Sequence, residues 1–592
     1  MRVVIGCTGA AFREIVEGQQ WQTSVTAIDE RPTFETFFTT VRDFTVDRAG
    51  PINSPRPGAP TICIIDSGVA LGNPFIAAVS RPDLSYSFLA GRPDDKADET
   101  GHGSASASLA SYYALNLAAG AENLGRFWIA SARILDEHDH CPDRLLSAVI
   151  REVVSTLAPL GVRIFNLSVN VLGRAWNVVN RRIYPKRSWV ARTIDQLTRD
   201  ADVVFVISTG NLSMDTVRSL SDVRPYPLYL ADEQCSLLDP GQASLALTVG
   251  SLAATTQLVG QAANSRAIAV RNQPSPFTRR GPGIRGEFKP ELVEFGGNLA
   301  RHQDGTIERN AGCSVIVASN ALAPPISWDV GTSLSAPKVS HQIAIILEDL
   351  RTLGIEPQAA LLKAFAVNSA MYPSEDDAVE AFDQAVRGIE GFDWRNIYGY
   401  GVSSSDRATY CDDFTTILYY QGELEHDIVA FLDIPVPVAL VDIPRQDKVL
   451  TVTVVYHPEV HLRRLSDYVG TSLRWRVFRG DTSKEDVMAT MSSDADIEDA
   501  RELPNAAHGI QKRSKGCVQH DAFVWRDHRA EFSANNYTLA ITTFERWGLG
   551  NRDPVPFAVV VKLEERSRTV PIYNWIEAEL AERVAVHARA HT

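Results

Sequence analysis

The sequence predicts an α/β fold built on a doubly wound parallel sheet, followed by a smaller antiparallel β-sandwich domain. Between residues 59 and 410, short β-branched runs alternate with segments of helical apolar spacing. From residue 411 onward this rhythm is lost, and apolar residues alternate with polar ones at period two between turns. A chain of 592 residues is also too long for one ordinary core, so more than one domain is expected.

The central region, residues 59–410, contains the elements of the parallel sheet. Continuous apolar strands that alternate with helices imply a sheet covered on both faces. Two helices are predicted at 145–157 and 189–199 from the spacing of their apolar residues. The predicted strands are 61–65, 163–167, 203–207 and 245–249.

The two flanking regions have different patterns. Residues 411–592 predict the antiparallel sandwich, ending in an amphipathic helix from 574 to about 590. Residues 1–58 predict two strand–helix pairs and end in a Pro/Gly-rich linker, which indicates either a cap on the central region or a reduced inhibitory or docking region. The predicted strands of the sandwich are 450–456, 473–478, 537–543 and 557–561.

Composition excludes several partners and compartments. Lys and Arg number 58 against 72 Asp and Glu, and a net charge of −14 disfavours binding to nucleic acid phosphates. No window is apolar enough for a transmembrane helix, and the N-terminus lacks the apolar stretch of a signal peptide. The seven cysteines are odd in number and scattered, without a CxxC pair. These features predict a cytoplasmic protein with no membrane partner.

Three short segments of the central region carry the residue types of nucleophilic catalysis. Asp66 ends the first predicted strand, His102 lies between two glycines, and Ser333 begins a predicted helix with Pro337 in its early turns. Taken alone, each has an ordinary structural explanation: a carboxylate that caps a loop, a loop histidine and an N-cap serine. Taken together, they supply a hydroxyl nucleophile, a base to activate it and an acid to orient the base.

In this order, the segments resemble the catalytic blocks of subtilisin-like (S8) serine peptidases, of an intracellular type with a C-terminal β domain. Asp66 lies in an Asp-Ser-Gly block, His102 in Gly-His-Gly-Ser, with Ser104 for the family's threonine, and Ser333 in Gly-Thr-Ser-Leu-Ser-Ala-Pro. The resemblance covers roughly 340 residues and leaves both flanks uncovered. Further blocks in the family's order are 165–169, 206–211, 247–251, 275–282, 289–293 and 398–402.

The resemblance implies a mechanism. Ser333 would be the nucleophile, His102 the general base and Asp66 the group that orients the base. The Asn211 side chain and the Ser333 backbone N–H would form the oxyanion hole.

The resemblance also implies where the substrate binds. Asn170 stands where the family usually has glycine, so we expect it to crowd or polarise the cleft. The implied walls of the primary pocket are Ser168, Val169, Asn170, Ser208, Thr209 and Gly210.

No metal site is clear from the sequence. His138 and His140 lie in the acidic run 136–141, but their spacing is not a zinc signature, and a solvated loop near the cleft that favours basic substrates is expected instead. The acidic run 374–380 lacks an Asp-x-Asp-x-Asp-Gly loop. We therefore expect no cofactor, while the resemblance leaves calcium open.

The sequence as a whole predicts a serine endopeptidase that acts on polypeptides and is regulated by its N-terminal segment or by a partner, such as a separate ATPase. The alternative is a non-catalytic or latent binding or scaffold protein on the same fold. An esterase or lipase is disfavoured, because the Gly-x-Ser-x-Gly motif and the order Ser, Asp, His are absent.

Overall fold

A seven-stranded sheet lies at the centre of the computed structural model, and every pair of neighbouring strands in it is parallel. The spatial order is β7-β6-β5-β4-β1-β3-β2. The strands are β1 (Thr61–Asp66), β2 (Tyr86–Ser87), β3 (Trp128–Arg133), β4 (Ile164–Leu167), β5 (Val204–Ser208), β6 (Leu247–Leu252) and β7 (Leu292–Phe295). The structure describes residues 39–40 and 50–577, apart from 93–96, 119, 142–143, 171–175, 180–181, 186, 261–264, 374–376, 427, 438–439, 441–446, 462–467, 493–502, 504–505, 526–535 and 549–552.

Helices cover both faces of this sheet because successive side chains of each strand point to opposite sides. In β1, Ile62 and Ile64 join one apolar core, and Cys63 and Ile65 join the other. The first core is closed by α1 (His102–Tyr112), α5 (Thr332–Thr352) and α6 (Ala359–Asn368), and the second by α2 (Leu146–Leu157) and α3 (Trp189–Asp200). The other helices of more than five residues in the described part of this region are α4 (Met214–Val223) and α7 (Ala378–Val386). The doubly wound α/β prediction is confirmed.

The four predicted strands and two predicted helices of the central region are present, within three residues of the expected bounds. Three strands of the sheet were not predicted: β2 is only two residues long, β3 contains two alanines and a serine of low strand propensity, and β7 carries a buried glutamate. In each case the neighbouring strands of the sheet determine the extended conformation.

A hairpin of β8 (Val315–Ala318) and β9 (Ile326–Asp329) leads directly into α5. The two-residue strand Thr39–Thr40 pairs antiparallel with Ser327 and Trp328 on the free edge of β9. The other N-terminal elements predicted within residues 1–49 lie outside the described residues. Short elements elsewhere are Ile52–Asn53 with Asn123–Leu124, Trp176–Val179 with Arg182–Pro185, Arg266–Ala267 with Ala300–Arg301 and Ile307–Glu308, and the helices Pro74–Ala77, Arg395–Tyr398, Ser405–Thr409 and Ile510–Arg513.

Two antiparallel sheets follow in the C-terminal region and share one core. One has the order β10-β16-β12-β14 and the other β11-β15-β13. Trp475 is fully buried between them. The strands are β10 (Thr415–Leu424), β11 (Val429–Ile434), β12 (Lys448–Tyr456), β13 (Thr471–Arg479), β14 (Val518–Trp525), β15 (Tyr537–Glu545) and β16 (Val555–Glu565), with α8 (Lys484–Ser492). An antiparallel β domain after the α/β domain is confirmed.

Some predictions about the chain ends and surface remain predictions. The domain boundaries at residues 58 and 410 remain a prediction. The predicted final helix lies largely beyond residue 577, outside the described part of the chain. None of the helices within the described ranges is both long and apolar enough to cross a membrane. The six cysteines in those ranges are free thiols.

The α/β and β regions share a core. α6 packs against β12 and β16, and Asn368 at its end donates hydrogen bonds to Thr453 Oγ1 and the Val560 carbonyl. Phe365 of α6 is 3% exposed, and its ring centroid lies 5.9 Å from that of Tyr419 in β10. The two regions are therefore expected to unfold together.

We predict that Phe365→Ala lowers the free energy of unfolding by about 3–5 kcal/mol, because it leaves a cavity in this shared core. Urea denaturation followed by tryptophan fluorescence and by far-UV circular dichroism measures the change, and both signals should move in one transition. Leu353→Ala, at a residue that is 68% exposed, is the control and should change the value by less than about 0.5 kcal/mol. Two separated transitions would contradict the shared core.

Candidate active site

Asp66 and His102 form a buried pair at the carboxyl end of β1. Both carboxylate oxygens of Asp66 lie 2.9 Å from His102 Nδ1. The Ser67 backbone N–H also donates to Asp66 Oδ1 at 2.8 Å, which fixes the carboxylate. Since the ring nitrogen that faces a carboxylate carries the proton, Nε2 holds the lone pair whenever the His102 ring is neutral.

Two glycines and one further carboxylate bring α1 to the end of β1. A Cβ at Gly103 would lie 2.0 Å from the Gly68 carbonyl oxygen. The backbones at positions 68 and 103 can therefore approach this closely only because residue 103 is glycine. Asp98 accepts hydrogen bonds from the Gly101 and Ser104 backbone N–H groups, both at 2.8 Å, and from Ser67 Oγ. These contacts bind the first turn of α1, and His102 with it, to the loop that follows Asp66.

Ser333 is the second residue of α5, where a backbone N–H has no carbonyl partner within the helix. Asn211 follows β5, and its Oδ1 accepts hydrogen bonds from the Thr332 N–H at 2.9 Å and the Thr332 hydroxyl at 3.0 Å. This orientation turns Nδ2 toward Ser333. A Cβ at Gly331 would lie 2.9 Å from Ser333 Oγ and 3.2 Å from Asn211 Nδ2, so glycine keeps the space between hydroxyl and amide open.

His102 is the first residue of α1 and Ser333 the second of α5, and the two helices pack against each other. Both residues are described, and no hydrogen bond joins the Ser333 hydroxyl to the His102 ring in this structure. Such catalytic hydrogen bonds are often long in unliganded enzymes and tighten when substrate binds. The structure thus brings Asp66 to His102 and Asn211 to Ser333, and places His102 and Ser333 at the starts of two helices that pack against each other.

The charges around His102 favour its protonated form. Burial alone would lower the pKa of His102, but the charge and hydrogen bonds of Asp66, followed by the charges of Asp329 and Asp139, outweigh it and raise the pKa from 6.5 to about 9. Burial raises the pKa of Asp329 to about 6, although it receives a hydrogen bond from Arg309 at 3.0 Å. Asp139 belongs to the acidic run 136–141, so this run does extend its field to the site.

The six predicted pocket residues lie at one edge of the sheet. Ser168, Val169 and Asn170 follow β4, while Ser208 ends β5 and Thr209 and Gly210 follow it. The Asn170 carboxamide contacts Ser208 through two hydrogen bonds, and its role in the cleft stays a prediction.

A second concave feature adjoins the Asn211 amide. It is shallow, and its empty space of about 310 Å³ includes open solvent. The lining residues are Asn211, Leu212, Met214, Phe277, Leu299, Arg309 and Val330. The lining is mostly apolar, with the Arg309 guanidinium as its one cation.

Within the described ranges, no three His, Cys, Asp or Glu side chains group closely enough to hold a metal ion. The run 374–380 considered for calcium includes residues 374–376, which lie outside those ranges.

A comparison with known protein families matches residues 58–401 to the subtilase family, Peptidase_S8. The chain belongs to the subtilase family. It is a serine protease of the subtilisin type. It is also 30% identical over 458 residues to the uncharacterized protein y4bN of Sinorhizobium fredii, an alignment that spans 74% of this chain and 99% of the relative.

Solved structures that resemble this chain include a lanthipeptide protease, with 19% identity and a TM-score of 0.38 over 59% of this chain and 86% of that one. Another is the epidermin leader peptide processing serine protease EpiP from Staphylococcus aureus, with 15% identity and a TM-score of 0.37 over 60% and 76% of the two chains. The family assignment rests on the sequence match.

Sequence reasoning missed four residues that organise this site. Asp98 lies four positions before His102, and this short separation in the chain was the only local indication of its role. Gly103 and Gly331 were visible as motif glycines, but their close contacts depend on the packed structure. Asp329 ends a strand that was not predicted, so nothing local indicated that it lies near His102.

We predict that Asp66→Asn lowers the pKa of His102 from about 9 by about 1–3, because burial then acts against less negative charge. The pKa of His102 in the folded protein exceeds its ordinary value of 6.5, so its protonation adds to the free energy of unfolding. This contribution is present in full below about pH 6.5 and is lost as the pH rises through about 9. A titration of the His102 ring by NMR on histidine-labelled protein measures the change, with Asp304→Asn on the exposed surface as the control. An unchanged pKa in Asp66→Asn would show that the Asp66 charge does not control His102.

Proposed function

We propose that this subtilase hydrolyses peptide bonds with Ser333 as nucleophile, His102 as general base and Asp66 as the residue that orients His102. Ser333 Oγ attacks the carbonyl carbon while His102 Nε2 takes the hydroxyl proton. His102 then returns that proton to the leaving amine, and water hydrolyses the acyl-enzyme with His102 again as base. The product is a peptide cut in two with the enzyme regenerated.

The observation that carries this proposal is the orientation of the Asn211 amide. Because Thr332 occupies its oxygen with two hydrogen bonds, Nδ2 is directed at the space beside Ser333 Oγ. An oxyanion formed at that hydroxyl would accept hydrogen bonds from Asn211 Nδ2 and the Ser333 N–H. The positive end of the α5 dipole adds to this stabilisation.

The negative groups around His102 suit the proposed proton transfers. An imidazolium forms transiently when His102 takes the serine proton, and the carboxylates of Asp66, Asp329 and Asp139 favour that charged form. The same raised pKa means that His102 must lose a proton before it can act, so the activity is expected to increase with pH toward about 9.

Regulation by the N-terminal segment or by a partner is part of the proposal. Thr39–Thr40 pairs with the strand β9, which leads through Asp329 to Ser333. A displacement of that strand would therefore act on the chain next to the nucleophile. A cytoplasmic location and a separate ATPase partner stay expectations from the sequence.

We predict that a fluorophosphonate probe labels the protein covalently at Ser333, because the activated hydroxyl attacks phosphorus as it would a carbonyl. Ser333→Ala should lose the label, and peptide mapping should place it on Ser333 in the unmutated protein. Ser219→Ala, which removes an exposed hydroxyl on α4, is the matched control and should retain the label. Folded protein that is never labelled would favour the non-catalytic scaffold alternative.

We further predict that Asn211→Ala lowers kcat by about 10²–10³-fold with a small change in KM, because the amide acts mainly on the transition state. Steady-state kinetics on one peptide substrate measures both constants. An equal rise in KM without a fall in kcat would show that Asn211 binds substrate rather than the oxyanion.

A further inference from the structure

Two chain segments leave the sheet side by side next to Asn211. β4 and β5 are neighbouring parallel strands, with Leu167 opposite Ile207. The segments that follow them, 168–170 and 208–210, therefore begin at the same sheet edge. Asn211 continues directly from the second segment, so the gap between the two segments opens beside the proposed oxyanion hole.

The Asn170 side chain closes this gap. Its Nδ2 donates a hydrogen bond to the Ser208 carbonyl at 2.9 Å, and its Oδ1 accepts one from the Ser208 hydroxyl at 2.6 Å. Both ends of the carboxamide are thus bound to one residue of the opposite segment. A glycine at this position would have no side chain to span the gap.

Hydrogen bonds and packing prevent the 208–210 segment from shifting away from Asn170. The Thr209 N–H donates to the Val249 carbonyl at 3.0 Å, and the Leu238 N–H donates to the Thr209 carbonyl at 3.1 Å. Leu238 also lies directly behind Gly210, where a Cβ would be 2.7 Å from its Cδ1. Ser208 and Thr209 are fully buried, which leaves no space behind them.

The 168–170 segment is held in place by hydrogen bonds that connect it to α5. Asn166 Nδ2 donates to Ser168 Oγ at 2.8 Å, and the Ser340 hydroxyl donates to Asn166 Oδ1 at 3.2 Å. Val169 is 4% exposed and packs in the core below α2 and α3. A wide side chain between the segments must therefore displace Asn170 itself.

We propose that Asn170 restricts the residue on the acyl side of the scissile bond, the P1 residue, to small side chains such as alanine, serine or glycine. The proposal rests on the proposed peptidase function and names its substrate class. A large P1 side chain would break both hydrogen bonds and leave the buried Ser208 carbonyl without its donor, which is costly in the absence of water. A small side chain leaves both bonds intact.

The test compares kcat/KM for two peptides that differ only in alanine or phenylalanine at P1. The unmutated protein should prefer alanine by at least about tenfold, and Asn170→Gly should raise the phenylalanine-to-alanine ratio by at least about tenfold. Asn170→Ala, which keeps an ordinary backbone, should shift the ratio the same way. Ser208→Ala removes one of the two hydrogen bonds and should give an intermediate ratio. Ser155→Ala, on the exposed side of α2, should leave the ratio unchanged.

Three outcomes decide the matter. Equal cleavage of both peptides by the unmutated protein, or an unchanged ratio in Asn170→Gly and Asn170→Ala, overturns the role of Asn170 while fluorophosphonate labelling still supports the peptidase. Protein that neither hydrolyses any peptide of a P1 library nor takes up the label overturns the proposed function, and the role of Asn170 with it. Active-site titration with the same probe corrects every rate for the folded fraction.

Discussion

The site depends first on the close approach of two glycine backbones. Gly103, next to His102, lies against the carbonyl of Gly68, two residues after Asp66, at a distance that no Cβ would permit. Without this contact, the first turn of α1 would stand away from the end of β1, and the His102 ring would not reach the carboxylate. The two-glycine contact therefore has a chemical consequence: a fully buried carboxylate and a nearly buried imidazole share one hydrogen-bonded pair.

A second constraint joins elements that are distant in the chain. Asn211 and Thr332 are 121 residues apart, yet the Thr332 N–H and hydroxyl both bind the Asn211 carboxamide oxygen. Because Asn211 follows β5 and Thr332 begins α5, this contact aligns the end of the strand with the start of the helix. The hydroxyl of Ser333, a helix N-terminus and a side-chain amide thereby face one small space, which suits the stabilisation of negative charge.

The C-terminal region contributes to the central sheet through buried polar contacts. Asp195 of α3 accepts hydrogen bonds from the Ser244 and Leu245 N–H groups just before β6, and from the Tyr468 hydroxyl at 2.8 Å. The Arg187 guanidinium lies 4.1 Å from the Tyr468 ring centroid. Removal of one partner from such a network leaves a buried charge without its counter-charge. This lowers the free energy of unfolding by far more than the intact network adds to it. The β region is thus built into the catalytic region rather than attached by a linker alone.

The sequence alone determined the α/β class, because the apolar runs of β1, β4, β5 and β6 are local patterns in which each side chain faces one of two cores. It also determined the order of Asp66, His102 and Ser333, and with them the family. It could not provide β3, whose small residues have little strand preference, or the proximity of Asp329 to His102. Nor could it show that the Asn170 carboxamide crosses to Ser208, 38 residues away. These features were decided by the tertiary structure, because hydrophobic periodicity depends on neighbours along the chain, whereas hydrogen bonds and glycine contacts across the fold depend on how closely the packed layers approach.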